Sequence, residues 1–464
     1  MASQLLRTKS IDKLISDAES PEHRLRKTLG PWSLTALGIG AIIGAGIFVL
    51  TGIAAATKAG PALTLSFVLA GLACLFAALV YAEFASTVPV SGSAYTYSYV
   101  TLGELAAWII GWDLILEYSV ASAAVAIGWS GYFNRVLSGI GLGLPDVLTR
   151  TPFDGGWLNL PAFLIILGVS GILALGIRES SRFNNAIVVL KLGIIALFLV
   201  AAIPQVDTSN WDPYFPFGWN GVVSGAGLIF FAYIGFDAVS TAAEEARNPQ
   251  RDIPRGILGS LVICTLIYII VAAVLTGIVP YARLNVPDPV AFGLEHIGAH
   301  AAAGLISVGA IAGLSSVLLV LLYGQSRIFF AMSRDGLLPP VFSRVHPRFR
   351  TPVRVIMVTG SLVALVAGFM PIQQVAELVN VGTLSAFIMV SVAVMVLRYT
   401  RPELHRPFRT PWVPLVPLLA IVFCSYLIAS LDAVTLWRFV IWMALGLAIY
   451  FLYARHHSRL ALAP

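Results

Sequence analysis

Charged side chains are scarce in this chain. Only 11% of its 464 residues are Asp, Glu, Lys or Arg, and the mean hydropathy is +0.87, whereas ordinary soluble domains contain about 25% charged residues. This balance excludes a typical soluble protein and indicates one that crosses a membrane many times. A bilayer core of about 30 Å needs roughly 20 apolar residues for each helical crossing. Twelve apolar segments of about this length follow one another: 32–56, 61–86, 102–136, 159–176, 183–203, 220–243, 256–279, 302–331, 353–370, 373–397, 412–431 and 434–453.

Segments of alternating polarity are also missing, although a transmembrane β-barrel would need them. The apolar segments are continuous runs, so we predict an all-α polytopic membrane protein with 12 transmembrane helices. The first 30 residues carry several basic side chains and no apolar core. These residues therefore predict a basic tail and not a cleavable signal peptide.

Cysteines and motifs typical of catalytic sites are also scarce in this chain. The three cysteines, Cys74, Cys264 and Cys424, lie in different apolar segments, and none has the spacing of a metal ligand or a disulfide partner. Residues 38–44 match the glycine pattern of a dinucleotide-binding loop, but the strand that must precede such a loop is missing. We predict that the protein is not an enzyme and has neither a metal site nor a cofactor.

The basic residues that do occur are distributed unevenly between the predicted loops. With the N-terminus in the cytoplasm, 23 of the 29 Lys and Arg residues fall on the cytoplasmic side and five on the opposite side. Because positive charge accumulates in cytoplasmic loops, both termini are predicted to be cytoplasmic in a multi-pass protein of the cell's inner (plasma) membrane. This placement explains the net charge of +6 without a nucleic-acid partner. Anionic lipids at the cytoplasmic face are the expected partners.

Glycine interrupts two apolar segments at corresponding places, within residues 38–48 and 230–237. In hydrocarbon an unpaired backbone group costs several kcal/mol, so a helix opens there only beside a cavity or a ligand. The alternative is that the glycines allow close helix packing. Because the interrupted segment comes first in each set of five, we predict two inverted repeats around a midplane substrate site. The predicted units are the tail 1–30, the first repeat 31–203, the inverted repeat 204–397 and two further helices with the C-terminus in 398–464.

An interrupted helix exposes backbone dipoles of both signs. The N–H groups at its new N-terminus bear partial positive charge, and the carbonyls at its other broken end bear partial negative charge. These groups together suit an α-amino acid, with the carboxylate at the N–H groups and the ammonium at the carbonyls. The predicted binding residues are Ile42, Ile43, Gly44, Ala45 and Gly46 in the first interrupted segment, and Phe231, Ala232 and Ile234 in the second.

Four of the ionisable residues inside the apolar segments are candidates for function or structural support. Lys191 lies about 12 Å along its helix, where a charge is costly, so we predict that it gains and loses a proton; snorkelling to the interface is the alternative. Glu117 should reach a similar depth and is the candidate proton-linked partner of Lys191. Asp113 and Asp237 are expected to have structural roles, with Asp113 forming hydrogen bonds and Asp237 anchoring the second interruption.

Several motifs occur in the order found in one superfamily. They are GAGIF at 44–48, FAYIGFD at 231–237, RNPQRDIP at 247–254 and SRDGLLP at 333–339. With them the chain resembles the amino acid-polyamine-organocation superfamily over nearly its whole length, and within it the bacterial members of the cationic amino acid transporter family.

This resemblance implies a leucine-transporter-like fold of five plus five helices in inverted repeat, with helices 1 and 6 unwound, and transport by alternating access. It also implies that Ile42, Ala45 and Gly46, with Phe231 and Ile234, contact the substrate. Lys191 matches the lysine that takes the place of a sodium ion in proton-coupled relatives, and Glu117 matches an acidic partner, so the resemblance favours proton symport.

The side-chain pocket bears on which amino acid is carried. Its predicted walls are Leu321 and Leu322 with Phe231 and Phe236. Leu321 offers no polar acceptor for a cationic side chain, whose charge would be desolvated at substantial cost. We therefore favour small neutral L-amino acids such as alanine. The alternatives are a transporter or exchanger of arginine and lysine, and a sensor that binds amino acids without transporting them.

Overall fold

The computed structural model describes residues 5–10, 27, 29–88, 94–176, 181–349 and 351–459, with the side chains of 181–183 and 244 left out. Most of the predicted N-terminal tail lies outside these residues. In the described part the chain is helical, without a β-strand, and a single bridge joins Leu29 to Ala246. The α-helices of eight or more residues are α1 Pro31–Ile42, α2 Leu63–Thr87, α3 Ala94–Thr101, α4 Glu104–Gly139, α5 Leu160–Ala174, α6 Ser181–Ala202, α7 Gly218–Ile229, α8 Pro249–Ile278, α9 Pro289–His296, α10 His300–Arg334, α11 Val353–Phe369, α12 Ile372–Thr400, α13 Leu415–Ala429 and α14 Ala433–Ile449.

Eight helical stretches of the described residues are long and apolar enough to cross a membrane. One of them, Gly46–Thr87, turns sharply at Gly60, whose φ of +62° is in the left-handed region. Four further apolar helices, α1, α5, α11 and α13, are shorter, with 12 to 17 residues each. The protein is therefore an all-helical, polytopic membrane protein.

The helices form one core around the two interrupted segments. The helix α4 packs along α10, α2 packs along α8, and α5 packs along α11. The inward faces of these helices are buried, whereas Leu, Val and Ile side chains on the outer faces of α8, α11 and α14 are exposed. Since a membrane protein's outer surface meets hydrocarbon, these exposed apolar faces are those expected to contact lipid.

Residues from both ends of the chain meet beside the end of α10. Lys9 forms an ion pair with Asp335 at 2.7 Å, and the Tyr95 hydroxyl donates to the same carboxylate at 2.5 Å. The backbone N–H of Arg459 donates to the Asp335 carbonyl at 3.0 Å. One turn after α10 therefore holds an N-terminal and a C-terminal segment together.

The last helix, α14, is held to α4 by tryptophan. The rings of Trp112 and Trp442 stack with centroids 4.4 Å apart. The indole N–H of Trp112 donates to the Trp442 carbonyl at 2.9 Å, and that of Trp442 donates to the Trp112 carbonyl at 3.2 Å. Because apolar contact alone gives helices little reason to associate in lipid, packing and hydrogen bonds of this kind hold α14 in place.

We expect Trp442→Ala to lower the free energy of unfolding by roughly 2–4 kcal/mol, since a stacked ring and a hydrogen bond are lost together. The matched control is Trp437→Ala on the same helix, because the Trp437 ring is 66% exposed. Thermal melting of the detergent-solubilised protein measures both. Equal melting temperatures for the two variants would mean that the Trp112–Trp442 contact does not hold α14.

Candidate functional site

The first interruption lies between α1 and the helical turns that begin at Gly46. The Ile43 N–H still donates to the Ile39 carbonyl at 2.9 Å, but Ile43 is then extended, with ψ of 103°. The chain resumes as a π-helical turn, Gly46–Leu50. The N–H groups at the start of this turn have no preceding helical carbonyl to bond, and the whole interruption is buried. The predicted opening in residues 38–48 is therefore present, at residues 43 and 44.

The second interruption follows α7. The helix tightens to a 3₁₀ turn, Phe230–Tyr233, and Ile234 is extended with ψ of 134°. Gly235 then has φ of +116°, a conformation that side chains oppose, before helix resumes at Ala238. The backbone carbonyl of Asp237 accepts hydrogen bonds from the Ser240 N–H at 2.8 Å and from the Ser240 hydroxyl at 2.6 Å, where the helix resumes. The anchoring role of the Asp237 side chain stays a prediction.

The two interruptions cross in direct contact. A Cβ atom on Gly235 would lie 2.9 Å from the carbonyl carbon and oxygen of Ala41. A Cβ atom on Gly46 would overlap the Ala232 backbone on the other segment. Glycine is therefore required on each side of the crossing, because a side chain would force the two backbones apart.

A tyrosine on α8 joins the two broken ends. The Tyr268 hydroxyl lies 3.0 Å from the Ile42 carbonyl oxygen and 2.9 Å from that of Ala232. Its ring is fully buried between Phe67 and Tyr233. A phenol has one proton to donate, so two carbonyls compete for it, while the oxygen of the hydroxyl can still accept a hydrogen bond from another donor. An ammonium group is such a donor.

We expect Tyr268→Phe to lower the free energy of unfolding by about 1–3 kcal/mol, since two buried carbonyls lose their shared donor. Tyr426→Phe is the matched control, because the Tyr426 side chain is 47% exposed. Thermal melting of both variants checks this expectation. If Tyr268→Phe melts at the same temperature as the unaltered protein, the hydroxyl does not stabilise the crossing of the two segments.

Lys191 reaches the first interruption from α6. Its side chain is 1% exposed, and its Nζ donates to the Gly40 carbonyl in the last turn of α1 at 2.7 Å. Gly313 on α10 leaves the space in which the lysine side chain lies. The ammonium therefore sits at the negative end of the α1 dipole, where a positive charge is stabilised. With its Nζ in this buried contact, the Lys191 side chain does not reach the surface of the protein, which argues against snorkelling.

Three carboxyl groups act on one another electrostatically. Glu117 and Asp113 are buried one turn apart on α4, and the charge of Asp237 also acts on Glu117. Asp113 was expected to form structural hydrogen bonds, yet neither of its oxygens bonds to any described group. Gly382 of α12 faces it instead. Negative charge in this cluster is costly, since the groups are desolvated and repel one another.

The wall nearest the first interruption is formed by a residue that the sequence reasoning missed. Val317 of α10 lies 3.7 Å from where a Cβ on Gly44 would be. Leu321, the predicted wall, lies one turn further along α10 and is partly buried against the core. On the opposite side α4 approaches through Gly128, which packs against Ala45 and Val49. Among the described residues no group of three or more His, Cys, Asp or Glu side chains is arranged to hold a metal ion.

Known proteins match this chain over most of its length. The sequence model of the amino acid permease family matches residues 29–454. The branched-chain amino acid permease BcaP of Bacillus subtilis (strain 168) is 54% identical over 465 residues, covering 99% of this chain and 100% of that protein. The methylthioribose transporter of the same organism is 53% identical over 460 residues, covering 99% of each chain. The vacuolar cationic amino acid transporter 4 of Arabidopsis thaliana is 40% identical over 409 residues, covering 86% of this chain and 68% of that protein.

These relatives are transporters and not enzymes. The family model matches most of the chain, and two relatives share more than half of its residues. The chain belongs to the amino acid permease family.

Proposed function

We propose that this protein is a secondary active transporter that carries small neutral L-amino acids into the cell together with protons. The observation that carries the proposal is the crossing of two interrupted helices, with the Ile42 and Ala232 carbonyls turned toward one buried hydroxyl. Backbone groups that are not committed to helix are the means by which a membrane protein holds a zwitterion at mid-depth.

In this proposal the chain crosses the membrane twelve times. The first crossing combines α1 with the turns after Gly46, and α5, α11 and α13 are complete crossings although each is short for a bilayer of about 30 Å. Local thinning of the bilayer and snorkelling of flanking polar side chains accommodate such short helices.

The packing of the helices supports an inverted repeat of five plus five crossings followed by two more. In such a repeat, crossings one to five correspond to six to ten. The contacts α2 with α8, α4 with α10 and α5 with α11 are contacts between corresponding crossings, and the two interruptions form a fourth pair. Close packing of corresponding helices is expected around an axis in the membrane plane. Because most Lys and Arg residues fall in the loops on one side, this proposal places both termini in the cytoplasm.

The substrate's charged ends would be held by backbone. The carboxylate would accept hydrogen bonds from N–H groups of residues 44–47, at the positive end of the resumed helix. The ammonium would donate to carbonyls among those of Ile42, Phe231, Ala232 and Ile234, in the place where Tyr268 now donates. The side chain of the substrate would then meet Val317 and Leu321, whose apolar surface favours a neutral amino acid.

Proton coupling would act through Lys191. Its ammonium holds the last turn of α1 by the Gly40 carbonyl, two residues before the chain unwinds. Loss of its proton would remove that charge and loosen the junction, so protonation and the position of α1 would be linked. Glu117 would take up the proton, because burial and, beyond it, acidic neighbours make its negative charge costly.

Uptake of labelled alanine into proteoliposomes tests the proposal. We expect uptake to accelerate when the outside is acidic and to continue without sodium. Uptake that requires sodium and ignores pH would overturn proton symport. Binding of alanine without any flux would favour the sensor instead.

Two relatives give specific reasons for a second candidate substrate. A methylthioribose transporter is 53% identical to this chain, and a cationic amino acid transporter is 40% identical. Unlabelled alanine, leucine, arginine and methylthioribose should therefore compete against bound alanine in one panel. We expect alanine to compete best. Stronger competition by arginine would favour the cationic transporter or exchanger, and stronger competition by methylthioribose would remove the need for an α-amino acid.

A further inference from the structure

A basic cavity lies where α11 begins, away from the interrupted helices. Its volume is about 160 Å³, and its lining includes Arg344, His346 and Arg354 with Val345 and Val353. We propose that this cavity binds the phosphate group of an anionic phospholipid from the cytoplasmic leaflet. The inference rests on the proposed membrane orientation and not on the identity of the transported substrate.

The charges of the cavity favour an anion. Arg344 and Arg354 both line it, and neither forms an ion pair with a carboxylate among the described residues. The first turn of α11, which begins at Val353, also directs backbone N–H groups toward this end of the helix. Two guanidinium groups beside a helix N-terminus form a site that suits phosphate in charge and in hydrogen-bond donors.

His346 adds a hydrogen-bond donor to the cavity. The backbone N–H groups of Arg348 and Phe349 both point at its Nδ1, at 3.3 Å and 3.4 Å. Since Nδ1 accepts these bonds, it carries no proton, and the ring proton of the neutral imidazole lies on Nε2. The second ring nitrogen of His346 is thus a donor.

The loop that forms the cavity is fixed to its neighbours. The Thr351 hydroxyl donates to the Ala174 carbonyl at the end of α5 at 2.7 Å, and the His346 N–H donates to the Thr351 carbonyl at 2.8 Å. Phe349 contributes a third contact, because its carbonyl lies against Gly176. The backbone that carries the basic side chains is therefore held in place before any anion arrives, which lowers the entropic cost of binding.

The surroundings of the cavity favour a lipid over a free anion. Arg354 lies at the end of an exposed stripe of α11 that continues through Val358, Leu362 and Leu365, spaced three or four residues apart. Val345 in the lining is 49% exposed. An acyl chain lying along this stripe would bring its phosphate to the arginines, and arginine at such a boundary is where anionic headgroups bind.

Retention of phosphatidylglycerol by the detergent-solubilised full chain, measured by native mass spectrometry, tests the site. We expect the unaltered protein to retain phosphatidylglycerol over phosphatidylcholine, and Arg344→Gln with Arg354→Gln to weaken this retention roughly tenfold or more. Arg344→Lys with Arg354→Lys should restore most of it. The control is Arg150→Gln with Arg401→Gln, since both arginines are more than half exposed and pair with acidic residues close by in sequence.

The outcomes separate a lipid from other ligands. If the double glutamine variant retains as much phosphatidylglycerol as the unaltered protein, or if the control pair loses it equally, the proposal is overturned. Excess inorganic phosphate and the acyl-free headgroup glycerophosphoglycerol serve as competitors. If either displaces the lipid fully, the cavity recognises a free phosphate and the lipid assignment is wrong. A melting temperature that is equal in all variants shows that folding is not what changed.

Discussion

Replacing Gly235 with alanine is expected to abolish uptake by this permease and to weaken alanine binding about tenfold or more. A β-carbon there would oppose the φ of +116° and would press on the Ala41 backbone 2.9 Å away. The backbone strain alone is on the order of 1–3 kcal/mol. Gly46→Ala should act in the same way from the other segment, because its Cβ would overlap Ala232.

Gly193→Ala is the matched control for these two variants. Gly193 lies in α6, in a helical conformation, and no atom lies within 4 Å of the position of its Cβ. Alanine there should leave binding unchanged and stabilise the helix slightly. Binding of labelled alanine in detergent and uptake in proteoliposomes measure the three variants side by side. Full binding by Gly235→Ala would mean that the crossing of the interrupted helices is not the substrate site.

Lys191→Ala is expected to remove the acceleration of uptake by external acid, so that uptake with a proton gradient falls to its level without one. The substitution deletes the only charge that contacts the Gly40 carbonyl in the described structure, and it leaves nothing at that position to gain or lose a proton. Lys27→Ala, in the exposed part of the tail, should keep the full response to pH.

Exchange of labelled for unlabelled alanine at equal pH on both sides distinguishes lost coupling from lost folding. We expect Lys191→Ala to retain measurable exchange, since the backbone groups that bind the substrate are intact. A Lys191→Ala protein that still responds to external acid would disprove the assigned role of this lysine.

The helical segments and both interruptions could be predicted because each is determined by residues that are close together in the sequence. Long apolar runs specify helices in a membrane. Glycine clusters inside two of those runs marked the places near Gly44 and Gly235 where the backbone opens. The structural role of Asp237, predicted from its position after the second cluster, stays a prediction.

Contacts between distant helices could not be predicted in this way. The partner of Lys191 is a backbone carbonyl, which has no signature in the sequence. Val317 and not Leu321 lies nearest to Gly44, because the rotation of α10 about its axis is set by packing against α4. Tyr268 offered a faint signal, since it is the one tyrosine in its apolar segment and a buried phenol needs a partner.

The meeting of Lys9 and Arg459 at Asp335 has a consequence for how the chain can be rearranged. Segments from the two ends already touch the same residue, so a short flexible linker between them would cost little closure entropy. A circular permutant with joined ends, reopened in an exposed loop such as that around Gly141, should keep the same packing. In the proposed topology it would present its new termini on the opposite side of the bilayer from the old ones.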